Sequence, residues 1–337
     1  MKNGYNYEDY LFVSARIRAK ENSLIGHSDL MSMVSASSID ELYRMLDDKG
    51  IVAENDPRNG RNYDAVLAKR LSDAYASVFS DIPERSLFTV FTYPYDCHNL
   101  KTAIKYAQKG SSGASVMIPL GTVSPEKTEE AVIKGDFSAF PSNMAKAAEN
   151  AVDEFCKTKD PQIIDLILDY ACFEDISEST KVHNVPFVTE LLAIKADTVN
   201  IFTSVRLARR YSEKTFTLPE NALVVGGKLP HSFFTEVFAE AEPSGVIDIL
   251  ADKLTRTEYS VIADRLKAGE YDIGKLCDDL YISKVRQARQ TLAGVEVAAG
   301  YIAATEYEVK NLRILIAGKR AGLDAKSIAE RLRGSYV

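Results

Sequence analysis

One short element recurs three times in this 337-residue chain and limits what the chain can fold into. Asp96-Cys-His-Asn99-Leu100, Asp197-Thr-Val-Asn200-Ile201 and Glu308-Val-Lys-Asn311-Leu312 share the order acid, two residues, Asn, then Leu or Ile. The pattern occurs at no other place. The three asparagines stand about a hundred residues apart, so a triplicated unit is the first expectation. The residues that follow agree. Ala103, Ile104 and Ala107 trail the first Asn at the same offsets as Ser204, Val205 and Ala208 trail the second, and Leu315 and Ile316 continue the third. Those offsets mark one buried stripe of a helix.

A second half-repeat trails the first two copies. Gly121-Thr-Val-Ser-Pro precedes Glu130, and Gly227-Lys-Leu-Pro precedes Glu236, at matching distances. Ser124-Pro125 predicts a helix start, with a hydroxyl cap and a proline whose missing N–H costs nothing there. After the third copy, Gly322-Leu323-Asp324 predicts a helix stop and a cap for a last helix over 325–333.

The rest of the chain reads at helical period. Leu67, Leu71, Tyr75, Val78 and Phe79 recur at spacings of three and four, ahead of Pro83. Ser38-Ile-Asp-Glu41 has the form of a capping box, opening a helix that Gly50 ends. Residues 186–211 contain no Gly after Pro186, and 283–319 contain only Gly294 and Gly300. Alternating strand runs are hard to find, so the class is all-α. Gly110 to Pro125 and Glu213 to Pro230 collect Gly, Pro, Ser and Thr after long helical stretches. They divide the chain into helical repeats over residues 1–120, 121–226 and 227–337.

Charge and composition narrow the function classes. There are 41 Lys and Arg against 48 Asp and Glu, a net charge of -7, which argues against a nucleic-acid binder. Basic residues do line one face of each repeated helix: Lys101, Lys105 and Lys109; Arg206, Arg209 and Arg210; Arg313, Lys319 and Arg320. A solvated helix face is the plain reading, and a docking surface for an acidic helix the sharper one. No aromatic residues interleave them as a nucleic-acid groove requires. Glu8 and Asp9 stand where a secretory leader needs apolar residues, and no uncharged run is long enough to span a bilayer. The four cysteines include no CxxC pair, so no zinc site or disulfide framework is expected.

Catalytic patterns are absent as well. His27, His98, His183 and His231 lack metal-ligand spacing. Gly226-Gly227-Lys228 lacks the earlier glycine and the following Ser or Thr of a phosphate loop. No catalytic, metal or cofactor site is expected. The mid-helix asparagines are the odd residues, since a short amide competes with the helix backbone. The bland reading is a structural polar pair, Asn with the acid three residues earlier, that locks each repeat's helix to a neighbour or to a buried backbone group. The sharper reading has the three pairs, Asp96/Asn99, Asp197/Asn200 and Glu308/Asn311, lining a partner surface.

The opening Tyr10-Leu-Phe-Val-Ser-Ala-Arg16-Ile-Arg18, the Asp96 to Lys101 element, Gly226-Gly227-Lys228-Leu229 and above all residues Tyr301 to Leu323 resemble the C/AC39 family, the C subunit of bacterial and archaeal V/A-type ATPases and its vacuolar counterpart, d. Phe202 departs from the family, which more usually carries a basic residue there. The resemblance implies an all-helical, funnel-shaped protein of three similar domains around a pseudo-threefold axis. It implies a non-catalytic part of the central stalk, peripheral on the cytoplasmic face and not inserted in the membrane. Its partners would be the axle subunits D and F and the proteolipid (c/K) ring, and torque for proton or sodium transport would pass through it. Lys101, Lys105, Arg206, Arg210 and Arg313 are the candidate contacts, with Gly121 and Gly227 shaping a rim. The alternative is a helical-repeat scaffold for another partner. Common solenoid repeats are shorter, roughly 33–47 residues, which argues against it.

Overall fold

The computed structural model describes residues 5–53, 55–56, 60–210, 222–240 and 245–337. Its backbone is almost wholly helical; among the described residues the only strand pairing is Asn55–Asp56 with Gly60–Arg61, antiparallel. The chain divides into two compact units, one continuous and one assembled from both ends.

The discontinuous unit comprises Tyr5–Arg85 and Asp278–Val337. It begins with α1 (Leu11–Glu21), α2 (His27–Val34), α3 (Ile39–Asp48) and α4 (Tyr63–Phe79). Ser38 caps α3 by accepting from Glu41 N, but the Glu41 carboxylate reaches Ser37 N, one residue before the position a capping box uses. Gly50 follows α3 in the left-handed region, as a helix stop requires. In α4 the periodic Leu67, Leu71, Tyr75 and Val78 are all buried.

The continuous unit, Ser86–Cys277, holds α5 (Thr89–Ala107), α6 (Pro125–Lys134), α7 (Ser142–Thr158), α8 (Pro161–His183), α9 (Pro186–Arg210), α10 (His231–Glu240), α11 (Val246–Leu254) and α12 (Ser260–Lys267). α8 packs on α5, α7 and α9, and α11 on α9, α10 and α12. Pro94 lies inside α5 and leaves the Val90 carbonyl without its helical donor. Lys195 of α9 answers it, its Nζ 3.5 Å from Val90 O and 5.6 Å from the Phe91 ring. A helix defect is thereby turned into a tie between two long helices.

α13 (Gly274–Val285) carries the chain back to the first unit, where α14 (Val295–Arg320) and α15 (Ala325–Ala329) follow. α14 is apolar on nearly every side and packs on α1, α2, α3, α4 and α15, as the central helix of a core must. The periodic stretch from Ser283 breaks at Gly294, whose φ is 133°, while Gly300 stays inside α14. A Cβ at Gly300 would come within 2.6 Å of the Ala288 Cβ, so glycine there lets two backbones approach. Asp324 caps α15 through Ser327 N, but that helix ends four residues before Arg333.

Candidate functional site

The six residues of the repeated element are buried, each no more than 5% exposed. In each copy the asparagine makes the same two-way bond with one backbone residue 19–24 positions downstream. Asn99 Nδ2 donates to Ile118 O at 2.8 Å, and Ile118 N donates to Asn99 Oδ1 at 2.8 Å. Asn200 treats Val224 likewise at 2.9 and 2.8 Å, and Asn311 treats Arg333 at 3.1 and 2.8 Å. The amide imitates a strand edge and satisfies both polar groups of a peptide that has left regular structure. The acid does not pair with its own asparagine; it serves a second stretch of chain.

That stretch is the entry to a following helix. Asp96 accepts from Thr122 N, Thr122 Oγ1 and Val123 N at 2.8–3.0 Å, just ahead of Ser124, the cap of α6. Asp197 accepts from Lys228 N and Leu229 N at 3.0 and 3.1 Å, ahead of Pro230 and α10, and from the Tyr259 hydroxyl at 2.8 Å. Gly121 and Gly227 occupy corresponding places in these turns. A Cβ on either would fall on the carboxylate beside it, so both glycines serve the lock directly.

The third copy is closed from the other end of the chain. Glu308 Oε1 accepts from Ile25 N at 2.6 Å, and Ile25 precedes Gly26, the cap of α2. Val123, Leu229 and Ile25 therefore hold one equivalent position, and α2 plays for the third repeat the part of α6 and α10. The turn after α14, Gly322-Leu323-Asp324, does not meet Glu308. Arg70 completes this copy, with Nε and Nη2 on the Glu308 oxygens at 2.5 and 2.9 Å and Nη2 on Ser23 O at 2.9 Å. Ser23 corresponds to Gly121 and Gly227. Glu308 has one more methylene than the aspartates of the other copies, and the turn it meets carries Ser23 where theirs carry glycine.

Burial pushes the Asp96 carboxyl above the usual carboxylate range, while the Val123 and Thr122 donors pull the other way. Asp197 is raised for the same reason, opposed by Tyr259, Leu229 and Lys228. Asp175 on α8 is a related case that sequence reading missed. It takes Asn143 N and Met144 N at 3.0 and 2.8 Å and so caps α7, whose own cap position is Pro141. Burial raises its carboxyl too.

The basic stripes differ among the three helices. Lys101 and Lys105 of α5 are each 2.5 Å from an acid of α8, Asp169 and Asp165. Lys319 donates to Ala36 O and Arg320 to the Tyr43 hydroxyl. Arg206 and Arg313 are exposed and have no ion-pair partner among the described residues. Arg209 is exposed and lies over the Tyr271 ring, 5.3 Å from its centroid. The Arg210 side chain falls outside the described residues. Val199 and Phe202 extend the exposed face of α9 beside Arg206.

Among the described residues no group of three His, Cys, Asp or Glu side chains is placed to hold a metal, and no helix is long and apolar enough to cross a membrane. Ser86 Oγ lies 2.6 Å from His183 Nε2, yet the hollow beside them, walled by Leu87, Thr180 and Val188, leaves no room for a water molecule.

An all-helical chain, three of whose buried helices carry one acid and asparagine lock, defines a helical-repeat protein. The sequence model of the ATP synthase (C/AC39) subunit family matches residues 13–331, and the chain belongs to that family. It is 25% identical to the C subunit of the V-type sodium ATPase of Enterococcus hirae, over 97% of this chain and 99% of that one. It is 23% identical to the C subunit of the A-type ATP synthase of Methanocaldococcus jannaschii, over 96% of this chain and 86% of the relative. The corresponding A-type ATP synthase protein of Methanobrevibacter smithii is also 23% identical, with 96% and 88% covered. The chain is thus an accessory subunit of a V/A-type rotary ATPase.

Proposed function

We propose that this protein is the non-catalytic coupler of the central stalk, standing on the cytoplasmic face between the D and F axle subunits and the membrane proteolipid ring. In this reading torque for ion transport passes through its three repeats. The lock is the observation that carries the reading. A torque-bearing part needs helices that do not slip along one another, and each lock ties a long buried helix to two or three stretches of chain through five hydrogen bonds. Buried, fully paired networks of this kind fix one arrangement rather than many.

Arg206 of the continuous unit and Arg313 of the other are each assigned to acidic residues of the axle, because both are exposed and meet no acid among the described residues. Lys101 and Lys105 are committed within the chain. Gly121 and Gly227 shape the turns that follow the lock, and any rim they form is set by it. The test is assembly of the protein with D, F and the proteolipid ring. Arg206→Glu with Arg313→Glu is expected to weaken axle binding increasingly as salt is lowered, with Tm unchanged. Failure of the unaltered protein to co-purify with D and F overturns the coupling role. An unaltered complex at low salt removes only those two arginines from the interface.

A further inference from the structure

Two of the four cysteines are placed together in the core of the continuous unit. Cys97 on α5 and Cys172 on α8 are each 3% exposed, whereas Cys156 is exposed. The Cys97 Sγ donates to Leu168 O at 3.4 Å, the carbonyl one helical turn before Cys172. In α8 that carbonyl faces the N–H of residue 172, so Cys172 sits on the same turn of helix that the Cys97 sulfur meets. Helical geometry alone does not explain a cation at the same spot. Lys101, one turn after Cys97, sits beside its sulfur and holds Asp169 at 2.5 Å. Asp169 Oδ1 is 3.7 Å from Cys97 Sγ and its side chain is 47% exposed, so the pair lies one side chain beneath the surface.

We propose that Cys97 and Cys172 are a reversible oxidation site, closed to a disulfide by a small peroxide. Hydrogen peroxide suits the site because it is little larger than water, and Asp169, which lies against the Cys97 sulfur, is half exposed. Cys97 is the attacking residue, with the Lys101 ammonium to steady negative charge on sulfur. Its sulfur bonds to one peroxide oxygen and the O–O bond breaks. The departing hydroxide takes the proton that the thiol gave up and leaves as water. Cys172 then attacks the sulfenic sulfur, the S–S bond forms, the S–O bond breaks, and the oxygen leaves with the Cys172 proton as a second water. Two thiols and one peroxide yield one disulfide and two waters. Cys172 takes the later role and gives up its proton as it attacks; burial and the neighbouring Cys97 raise that thiol, so closing the bridge is the slower step. The bridge would staple α5 to α8 across a loop of roughly seventy-five residues, one residue from the Asp96 lock.

The full-length chain is treated with hydrogen peroxide, alkylated without reduction and digested. A linked pair of peptides carrying Cys97 and Cys172, released by dithiothreitol, is expected, together with a Tm higher by about 5 °C or more in the oxidised protein. In Cys172→Ser the reaction should stop at a dimedone-reactive sulfenic acid on Cys97. Free, alkylated Cys97 and Cys172 at a peroxide dose that fully oxidises exposed Cys156 overturns the proposal. So does sulfinic acid on Cys97 without any link.

Discussion

Asn200 shows what a single amide does in this protein. It is 1% exposed and gives both a donor and an acceptor to Val224, a residue no helix or strand supports. Asn200→Leu keeps the volume and removes both bonds, leaving the Val224 N–H buried and unsatisfied and the Val224 carbonyl with only the His231 ring, 3.1 Å away. The expected loss is roughly 1–3 kcal/mol, read from urea denaturation, and a neutral result would refute the lock at this position. Asp197, one turn away, makes a pH prediction. Its folded carboxyl is raised above the unfolded value, so between that raised value and about pH 4 the native state binds a proton that the unfolded chain does not. This group's contribution to stability therefore grows as pH falls from neutrality toward 4. Asp197→Asn lacks that gain, and its deficit against the unaltered chain should be larger near pH 4.5 than at pH 7. The exposed acids behave in the opposite sense. Asp324, lowered by the Ser327 backbone and hydroxyl donors, gives stability above its unfolded value that is lost only below about pH 4. The two classes act in separate windows.

At the scale of helices, the third lock joins elements nearly three hundred residues apart in sequence. Arg70 on α4 is the hinge pin of that junction, because it neutralises a carboxylate that is almost fully buried. Arg70→Ala strands Glu308 without its cation, and the expected cost is about 2–4 kcal/mol, somewhat below a wholly buried pair because the guanidinium is partly exposed. Hydrogen exchange gives the sharper readout. The Ile25 amide should lose protection in this variant, while the Val123 and Leu229 amides keep theirs. Equal loss at all three would mean that the locks are not independent. The helices, the buried stripes and the three acid and asparagine pairs could be read from spacing alone, since 3.6-residue periodicity and a polar residue in an apolar stripe are local signals. What each pair binds could not. Ile118, Val224 and Arg333 lie outside any pattern, and Ile25 answers Glu308 only because the fold brings the two ends of the chain together. The same holds for Lys101 and Lys105. A basic stripe looks alike whether water or the acids of α8 face it, and only α8's position decides. Gly121 and Gly227 were visible as turn residues, but their close approach to a carboxylate is a matter of tertiary distance. Periodicity overreaches in two places: the stretch from Ser283 breaks at Gly294, and α15 is extended to Arg333, although Arg333 is needed in non-helical form to meet Asn311.

For the molecule as a whole, the division into units separates two kinds of chain economy. Residues 86–277 form a continuous segment with two complete locks, Asp96 with Asn99 and Asp197 with Asn200, and all their partners, Tyr259 included. The other unit needs residues from both termini before its single lock can close. A segment that carries its own core and every partner of its own buried locks meets the requirements of an autonomous domain. Expressed alone, residues 86–277 should therefore give a helical circular dichroism spectrum, one cooperative denaturation transition, and protected Val123 and Leu229 amides. Residues 5–85 and 278–337 should each stay largely unfolded alone and gain helix when mixed, because α14 buries most of its apolar surface against α1 to α4 and Glu308 meets its cation on α4. Removing Arg70 from the first fragment ought to weaken that recombination. Should residues 86–277 prove unfolded in isolation, the two locks would not be sufficient to organise the continuous unit, and rigidity would have to be sought in contacts spread over the entire chain.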